Sequence, residues 1–333
     1  MNTDKLIAWF SASPPLAWET EGLIRDGYQI WLLEVMCQQT TVATVSKRFA
    51  LWLKQFPTIE ALIAAGEAAV LRAWEGLGYY SRARNLYKTA CLIGNKAWPA
   101  NEKELLALPG LGPYTAKALL ARIHNLPVLA VDANIKRILM RYLAKETINL
   151  DDEKSWQAGL SEGFKQYGGY IINHALLRLG QLVCKAQKPL CPECPLNESC
   201  LAYQKGLTKV IPPRKQKEVT ALSALTAVFY DPKQQLLLIE KRGDKEIGSG
   251  LYALPRYNLN ELEALQNKYG AALGLPVKIH NYTMYREKLL PYQFNINSKE
   301  FELKNNQFFV SLDTLDAYTF LSVYRKIITI INR

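Results

Sequence analysis

Four cysteines, Cys184, Cys191, Cys194 and Cys200, fall within seventeen residues in the spacing C-x6-C-x2-C-x5-C. No other feature constrains the chain as tightly, because thiolates this close together commit a loop to wrapping one inorganic centre. Disulfides are the poorer explanation: Met1 to Phe10 carries Asp4 and Lys5 where an export signal would have a basic end and an apolar run. Two centres suit the set. In an iron–sulfur cubane each thiolate binds one iron, with Pro189, Pro192 and Pro195 stiffening the loop, and a tetrahedral zinc ion uses the same ligands. Ligand type alone does not separate them. The remaining cysteines, Cys37 and Cys91, lie in apolar helical segments and are expected to be small buried hydrophobes without chemistry.

Around this loop the apolar residues recur at helical spacing from about Thr3 to Lys205, as in Ile59, Leu62, Ile63, Val70, Leu71 and Trp74. Pro57-Thr58 is a start signal for the helix running from Ile59, and Gly76 and Gly78 break the next one before Tyr79. The paired prolines and alternating charge of 206–218 (GLTKVIPPRKQKE) read as a linker. Beyond it the pattern turns strand-like, with runs at Ala221 to Tyr230 and Gln235 to Glu240 around an Asp231-Pro232 turn, and helices near Glu261 to Ala272 and Thr319 to Asn332. A length of 333 residues at 49% hydrophobic composition supplies two cores. The expected architecture is a mainly α region over 1–205 and a small α+β domain over 219–333. No run approaches the roughly 20 apolar residues that cross a bilayer, so no membrane partner is expected. A formal net charge of +11 favours a polyanion, since each cation set against a phosphate releases counterions.

Three motifs carry candidate chemistry. Residues 108–116 (LPGLGPYTA) form a glycine turn between two helices; Gly110 and Gly112 permit close backbone approach, and the amides near Thr115 can hold a phosphate without consulting a base. Asp132, in Val131-Asp132-Ala133-Asn134, precedes a basic helix, where an N-cap is the ordinary role for an acid. Glu34 interrupts the apolar run Trp31 to Cys37, and an acid in such surroundings tends to keep its proton, which suits a general acid.

Taken together, the E-V-M-x-Q-Q-T segment at Glu34, the GLGYYSRARN segment at Tyr79, the hairpin, Asp132 and the cysteine spacing resemble the adenine DNA glycosylase (MutY) family of the helix-hairpin-helix, or endonuclease III, superfamily. The likeness is dense over residues 15–205. It implies a 4Fe-4S cluster on the four cysteines, double-stranded DNA carrying a mispair or oxidised base as partner, and a monomeric base-excision glycosylase in the cytoplasm with bacterial chromosomal DNA. It implies Glu34 as the acid that protonates adenine, Asp132 as the carboxylate facing the positive sugar, and Tyr114 in support. Tyr114 stands where strand-cutting relatives carry a lysine, so only an abasic site should be left. Gln38, Gln39 and Tyr79 would fill or wedge the gap left by a flipped base, with Asn134 and His174 near the base pocket. Arg82, Arg84, Lys185 and Lys188 are candidate phosphate contacts.

The departures from that family bear on specificity. The family's D-G-N is D-A-N here, His174 stands where a Gln or Glu touches adenine, and Glu19 replaces an arginine after Trp18. The C-terminal part resembles a Nudix-like domain that reads 8-oxoguanine, without the acidic run of a Nudix hydrolase. Its F-S-H reading loop would fall near Leu289-Leu290-Pro291, which offers neither hydroxyl nor imidazole. The leading expectation is adenine excision opposite 8-oxoguanine or guanine. Its alternatives are a mismatch glycosylase removing thymine, uracil or another base, and a catalytically silent lesion-binding protein.

Overall fold

The computed structural model describes residues 1–15, 26–213, 219–243, 246–282 and 285–331; Trp18, Glu19 and the last part of the expected linker lie outside them. The chain forms two compact units, Met1–Ala64 with Asn85–Lys215, and Ala65–Arg84 with Gln216–Arg333. The division falls within the helical run Ile59–Ala73, where Gly66 adopts φ 79° and interrupts the helix. Thr58 accepts from the Ala61 amide at its start, as the sequence suggests.

In the first unit the fold is almost wholly helical. Helix Gly27–Cys37 is buried from Ile30 through Met36, so it crosses the interior rather than lying on it. Helix Ala133–Tyr142 and the long helix Ser161–Leu182 enclose a core of Leu6, Leu129, Ile135, Leu139, Trp156, Ile172, Leu176 and Leu179. The long helix is broken at Gly168, at φ 79°, and a Cβ on the next residue, Gly169, would lie 1.9 Å from the Leu126 carbonyl oxygen. Only glycines allow this bend and close approach. Beyond the bend, His174, Leu177, Arg178 and Gln181 follow one another at helical spacing along one wall of a cavity. The first part of the expected linker is packed rather than free: Ile211 is buried with Met140 and Ala202, and its carbonyl accepts from Arg141 Nε at 2.7 Å.

The second unit is built on a mixed sheet. Strands β1 (Thr220–Asp231), β2 (Leu236–Lys241), β3 (Tyr252–Ala253), β4 (Arg256–Tyr257), β5 (Ala272–Gly274), β6 (Lys278–Asn281), β7 (Tyr285–Asn295) and β8 (Gln307–Ser311) join in the order β3-β2-β1-β7-β5, with β4 on β1, β6 on β7 and β8 on β2. β1 runs parallel to β7, and from Ala224 onward it is buried on both faces, as its mostly apolar sequence requires. The expected helices are present but shorter, Leu262–Tyr269 and Ser322–Ile328.

Two expectations need correction. Leu289-Leu290-Pro291 is the interior of β7, not a loop; its side chains alternate in burial with their neighbours, and Leu289 is fully buried against the sheet. Cys91 is exposed and Cys37 only half-buried. In helix Ser81–Ile93 the inward positions are Ala83, Leu86, Ala90 and Ile93, which turns Cys91 about 100° away from that stripe.

Candidate active site

A cavity in the first unit is lined by Leu33, Glu34 and Cys37 from one helix, Arg122 from the helix after the hairpin, Asp132 and Asn134 from the next, and the His174 to Gln181 face of the long helix. The two carboxylates that the sequence singles out therefore share one chamber. Both are substantially buried, and each is held by specific donors.

Glu34 is 5% exposed. Its Oε1 pairs with the Arg122 guanidinium, also 5% exposed along its side chain, and its Oε2 accepts from the Tyr114 hydroxyl at 3.1 Å. The sequence suggests purely apolar surroundings, and the structure corrects this: both carboxylate oxygens accept hydrogen bonds, one of them from a buried cation. Burial works against the Arg122 charge, but the adjoining Glu34 carboxylate outweighs it and raises the guanidinium's pKa. Burial, with the charges of Glu34 and Asp132 behind it, holds the Tyr114 hydroxyl well above its ordinary range, so it remains a donor.

Asp132 fills the N-cap role and faces the cavity as well. Its Oδ1 accepts from the Ile135 amide at 2.7 Å and its Oδ2 from Asn134 Nδ2 at 2.8 Å. Burial pushes its carboxyl above the usual aspartate range, opposed by these two bonds and by the Arg137 charge. Asn134 is anchored in turn, because Arg137 Nη2 donates to its Oδ1 at 2.9 Å and to the Gly180 carbonyl at 2.8 Å. A side chain at Gly180 would collide with Asn134, its Cβ falling 2.7 Å from the Asn134 Cβ.

The same helix grips the cysteine loop. Arg137 Nε donates to the Cys184 carbonyl at 2.8 Å, while Arg141 Nη1 donates to the Lys185 carbonyl at 2.7 Å and lies 3.4 Å from Cys184 Sγ. The four cysteines line one small pocket together with Arg141, Asn197 and Tyr203. Among the described residues no group of three or more His, Cys, Asp and Glu side chains is placed to hold a single metal ion. Thiols that line one pocket without converging on a single-ion site suit a multinuclear cluster better than a lone zinc, whose sulfur ligands sit at about 2.3 Å from the metal. Lys185 and Lys188 are exposed on the loop.

At the hairpin, Gly110 has φ 78° and its missing Cβ leaves room for Asn85. Gly112 caps helix Pro113–Ile123 with no side-chain bond, and a Cβ there would meet nothing within 4 Å among the described residues. Thr115 is different. Its hydroxyl is buried and accepts from Gln38 Nε2 at 3.1 Å, which leaves its backbone amide, in the unsatisfied first turn, as the group able to meet a phosphate. Gln39 is exposed at φ 55°, an uncommon conformation for a residue with a side chain.

Tyr79 belongs to the second unit, 44% exposed and at φ 47°. Its neighbour Tyr80 is buried and donates to the Phe320 carbonyl at 3.1 Å. Of the candidate phosphate contacts, Arg82 and Arg84 are both engaged by groups of their own unit. Arg82 is buried, caps the Leu77 carbonyl at 2.8 Å and lies over Trp74 and Tyr79, while Arg84 bonds the Ser249 carbonyl. Sequence reasoning missed Arg122, Arg178 and Gln181; a lone charge in the apolar run ALLARI is the signal that marks Arg122, as it marks Glu34.

Residues 32–165 match the model of the HhH-GPD superfamily base excision DNA repair proteins, and 184–200 match the iron-sulfur binding domain of endonuclease III. The chain is 32% identical over 246 residues to the adenine DNA glycosylase of Buchnera aphidicola subsp. Baizongia pistaciae, covering 73% of this chain and 69% of that protein. It belongs to the adenine DNA glycosylase family. A second relative, the adenine DNA glycosylase of Mycolicibacterium smegmatis, is 34% identical over 199 residues, 58% of this chain and 67% of that one. Among solved structures, a non-covalent endonuclease III–DNA complex superposes with a TM-score of 0.52 at 25% identity, over 62% of this chain and 94% of that chain. The glycosylase thus has the helical fold of endonuclease III with a further α+β domain, and its cofactor is a 4Fe-4S cluster in the 184–200 loop. It is a DNA-binding base-excision enzyme. No helix among the described residues is long and apolar enough to cross a membrane.

Proposed function

We propose that this glycosylase hydrolyses the N-glycosidic bond of adenine mispaired with 8-oxoguanine or guanine in double-stranded DNA. It would act as a monomer in the cytoplasm of a bacterium and leave an abasic site. The observation that carries the reading is that Glu34 and Asp132 line one cavity while differing in their partners. Two acids in separate environments suit the two tasks of the reaction. Glu34, after taking up a proton, gives it to a ring nitrogen of the flipped base. The C1′–N9 bond then breaks with its electron pair leaving on adenine. Asp132, ionised, stands against the cationic sugar until water adds at C1′ and releases a proton. Each Glu34 oxygen accepts one bond in the structure and keeps a second lone pair on which that proton can sit.

Tyr114 supports the site by donating to Glu34, and it cannot form the Schiff base that a lysine would. Gln38, braced on Thr115, with Gln39 and Tyr79, would occupy the gap left by the base, Asn134 would hold Asp132, and His174 would border adenine. The backbone at Gly110, Gly112 and Thr115 would meet phosphate. The 4Fe-4S cluster on Cys184, Cys191, Cys194 and Cys200 supplies, when bound, the pin that fixes the loop carrying Lys185 and Lys188. In this reading catalysis belongs to 1–205, joined through 206–218 to a lesion-reading domain over 219–333.

Single-turnover excision with Glu34→Gln and Asp132→Asn tests the acid assignments. A fall of about a hundredfold or more in each is expected. Unchanged rates in either would remove that residue from the mechanism, and a silent wild-type protein would leave only lesion binding.

A further inference from the structure

Arg122 makes a single hydrogen bond to the catalytic acid and leaves most of its donors unused. Its Nη1 meets Glu34 Oε1, while Nε and Nη2 are buried and bond to no group among the described residues. Arginine ordinarily grips a carboxylate with two parallel N–H groups. Here the Tyr114 hydroxyl occupies Glu34 Oε2 and keeps the guanidinium from closing that fork. A buried N–H donor without a partner costs free energy, and more so on a charged group. This one borders the active cavity, with the Tyr170 ring 6.0 Å from its central carbon and the His174 ring stacked on Tyr170 at 4.4 Å.

We propose that Arg122 is a specificity-determining residue: its free Nη2–H or Nε–H donates to an acceptor nitrogen of the flipped base while Nη1 keeps Glu34 in place. The inference rests on the adenine reading above. Adenine has ring nitrogens N1, N3 and N7 as its acceptors, and a guanidinium is a donor only, so the contact would select for a base that presents an unprotonated ring nitrogen there. One guanidinium would then link the base and its proton donor, and correct placement of the base would align Glu34 at the same time.

The test uses the full-length, cluster-loaded protein with duplexes in which the target is adenine, 1-deazaadenine, 3-deazaadenine or 7-deazaadenine opposite guanine. Single-turnover release is measured on ordinary nucleotides, and affinity on the non-hydrolysable 2′-fluoro versions. Wild type should lose roughly ten- to hundredfold in affinity for one of the three analogues, as expected for a hydrogen bond from a charged donor. Arg122→Met should bind that analogue and adenine equally. Arg122→Lys, which keeps a cation beside Glu34 and guards against misfolding of the first variant, should show the same flattened pattern with absorption near about 400 nm retained. If wild type releases adenine but wild type and both variants lose the same factor with every analogue, Arg122 does not touch the base and the inference fails alone. If wild type releases no adenine from any duplex, the adenine reading fails with it.

Discussion

Arg137→Met tests whether the cysteine loop and the Asp132 carboxylate are held by one element. The wild-type side chain donates to the Cys184 carbonyl, the Gly180 carbonyl and Asn134 Oδ1, at 2.8, 2.8 and 2.9 Å. Methionine fills similar volume but leaves three acceptors without this donor. Hydrogen bonds to charged groups contribute about 1.5–3 kcal/mol each, and part of that is returned because the guanidinium no longer has to be desolvated. A net loss of about 3–4 kcal/mol follows, which for a unit of this size lowers the melting midpoint by roughly 10 °C. Thermal unfolding followed by circular dichroism, with absorbance near about 400 nm and iron content recorded beside it, measures both parts of the claim. The variant should unfold earlier and lose iron at lower temperature than wild type. It should also excise about tenfold more slowly below that temperature, since Asn134 no longer has its anchor against Asp132. A variant with an unchanged midpoint, full iron and full excision rate would refute the idea that Arg137 ties the two sites together.

Other outcomes follow from the same geometry. Asn134→Leu removes a hydrogen bond that lowers the Asp132 pKa, while burial continues to raise it; the acid side of the excision-rate profile, where ionised Asp132 is lost, should therefore move to higher pH, and an unmoved profile would separate Asp132 from the titration. Gly169→Ala puts a Cβ 1.9 Å from the Leu126 oxygen and should cost about 3 kcal/mol or more in urea unfolding. Replacing exposed Lys185 and Lys188 together by alanine should reduce the log–log salt dependence of DNA binding by about 2 if both meet phosphate, and leave it unchanged if neither does.

The parts legible in the sequence are those fixed by local chemistry. Cysteine spacing, the Gly110 to Thr115 hairpin and the N-capping Asp132 each need only residues near one another in the chain, and β1 and β2 lie within a residue of their expected limits. The rest depends on distant pairing. Arg122 lies 88 residues from Glu34, so nothing local to either one announces the ion pair. Residues 65–84 read as part of the helical region, yet they join the second unit through tertiary bonds such as Tyr80 to Phe320 and Arg325 to Glu75. A reading loop placed at Leu289 to Pro291 failed for a related reason: β7 is recognisable only beside the parallel β1 that covers it.

Single-turnover excision from matched duplexes with adenine opposite 8-oxoguanine, adenine opposite guanine and thymine opposite guanine, each resolved by alkaline cleavage of the abasic product, tests the central claim most directly. The account predicts release of adenine from the first two, fastest opposite 8-oxoguanine, with thymine left in place. Release of thymine alone would contradict it and make the chamber of Glu34 and Asp132 a site for another base.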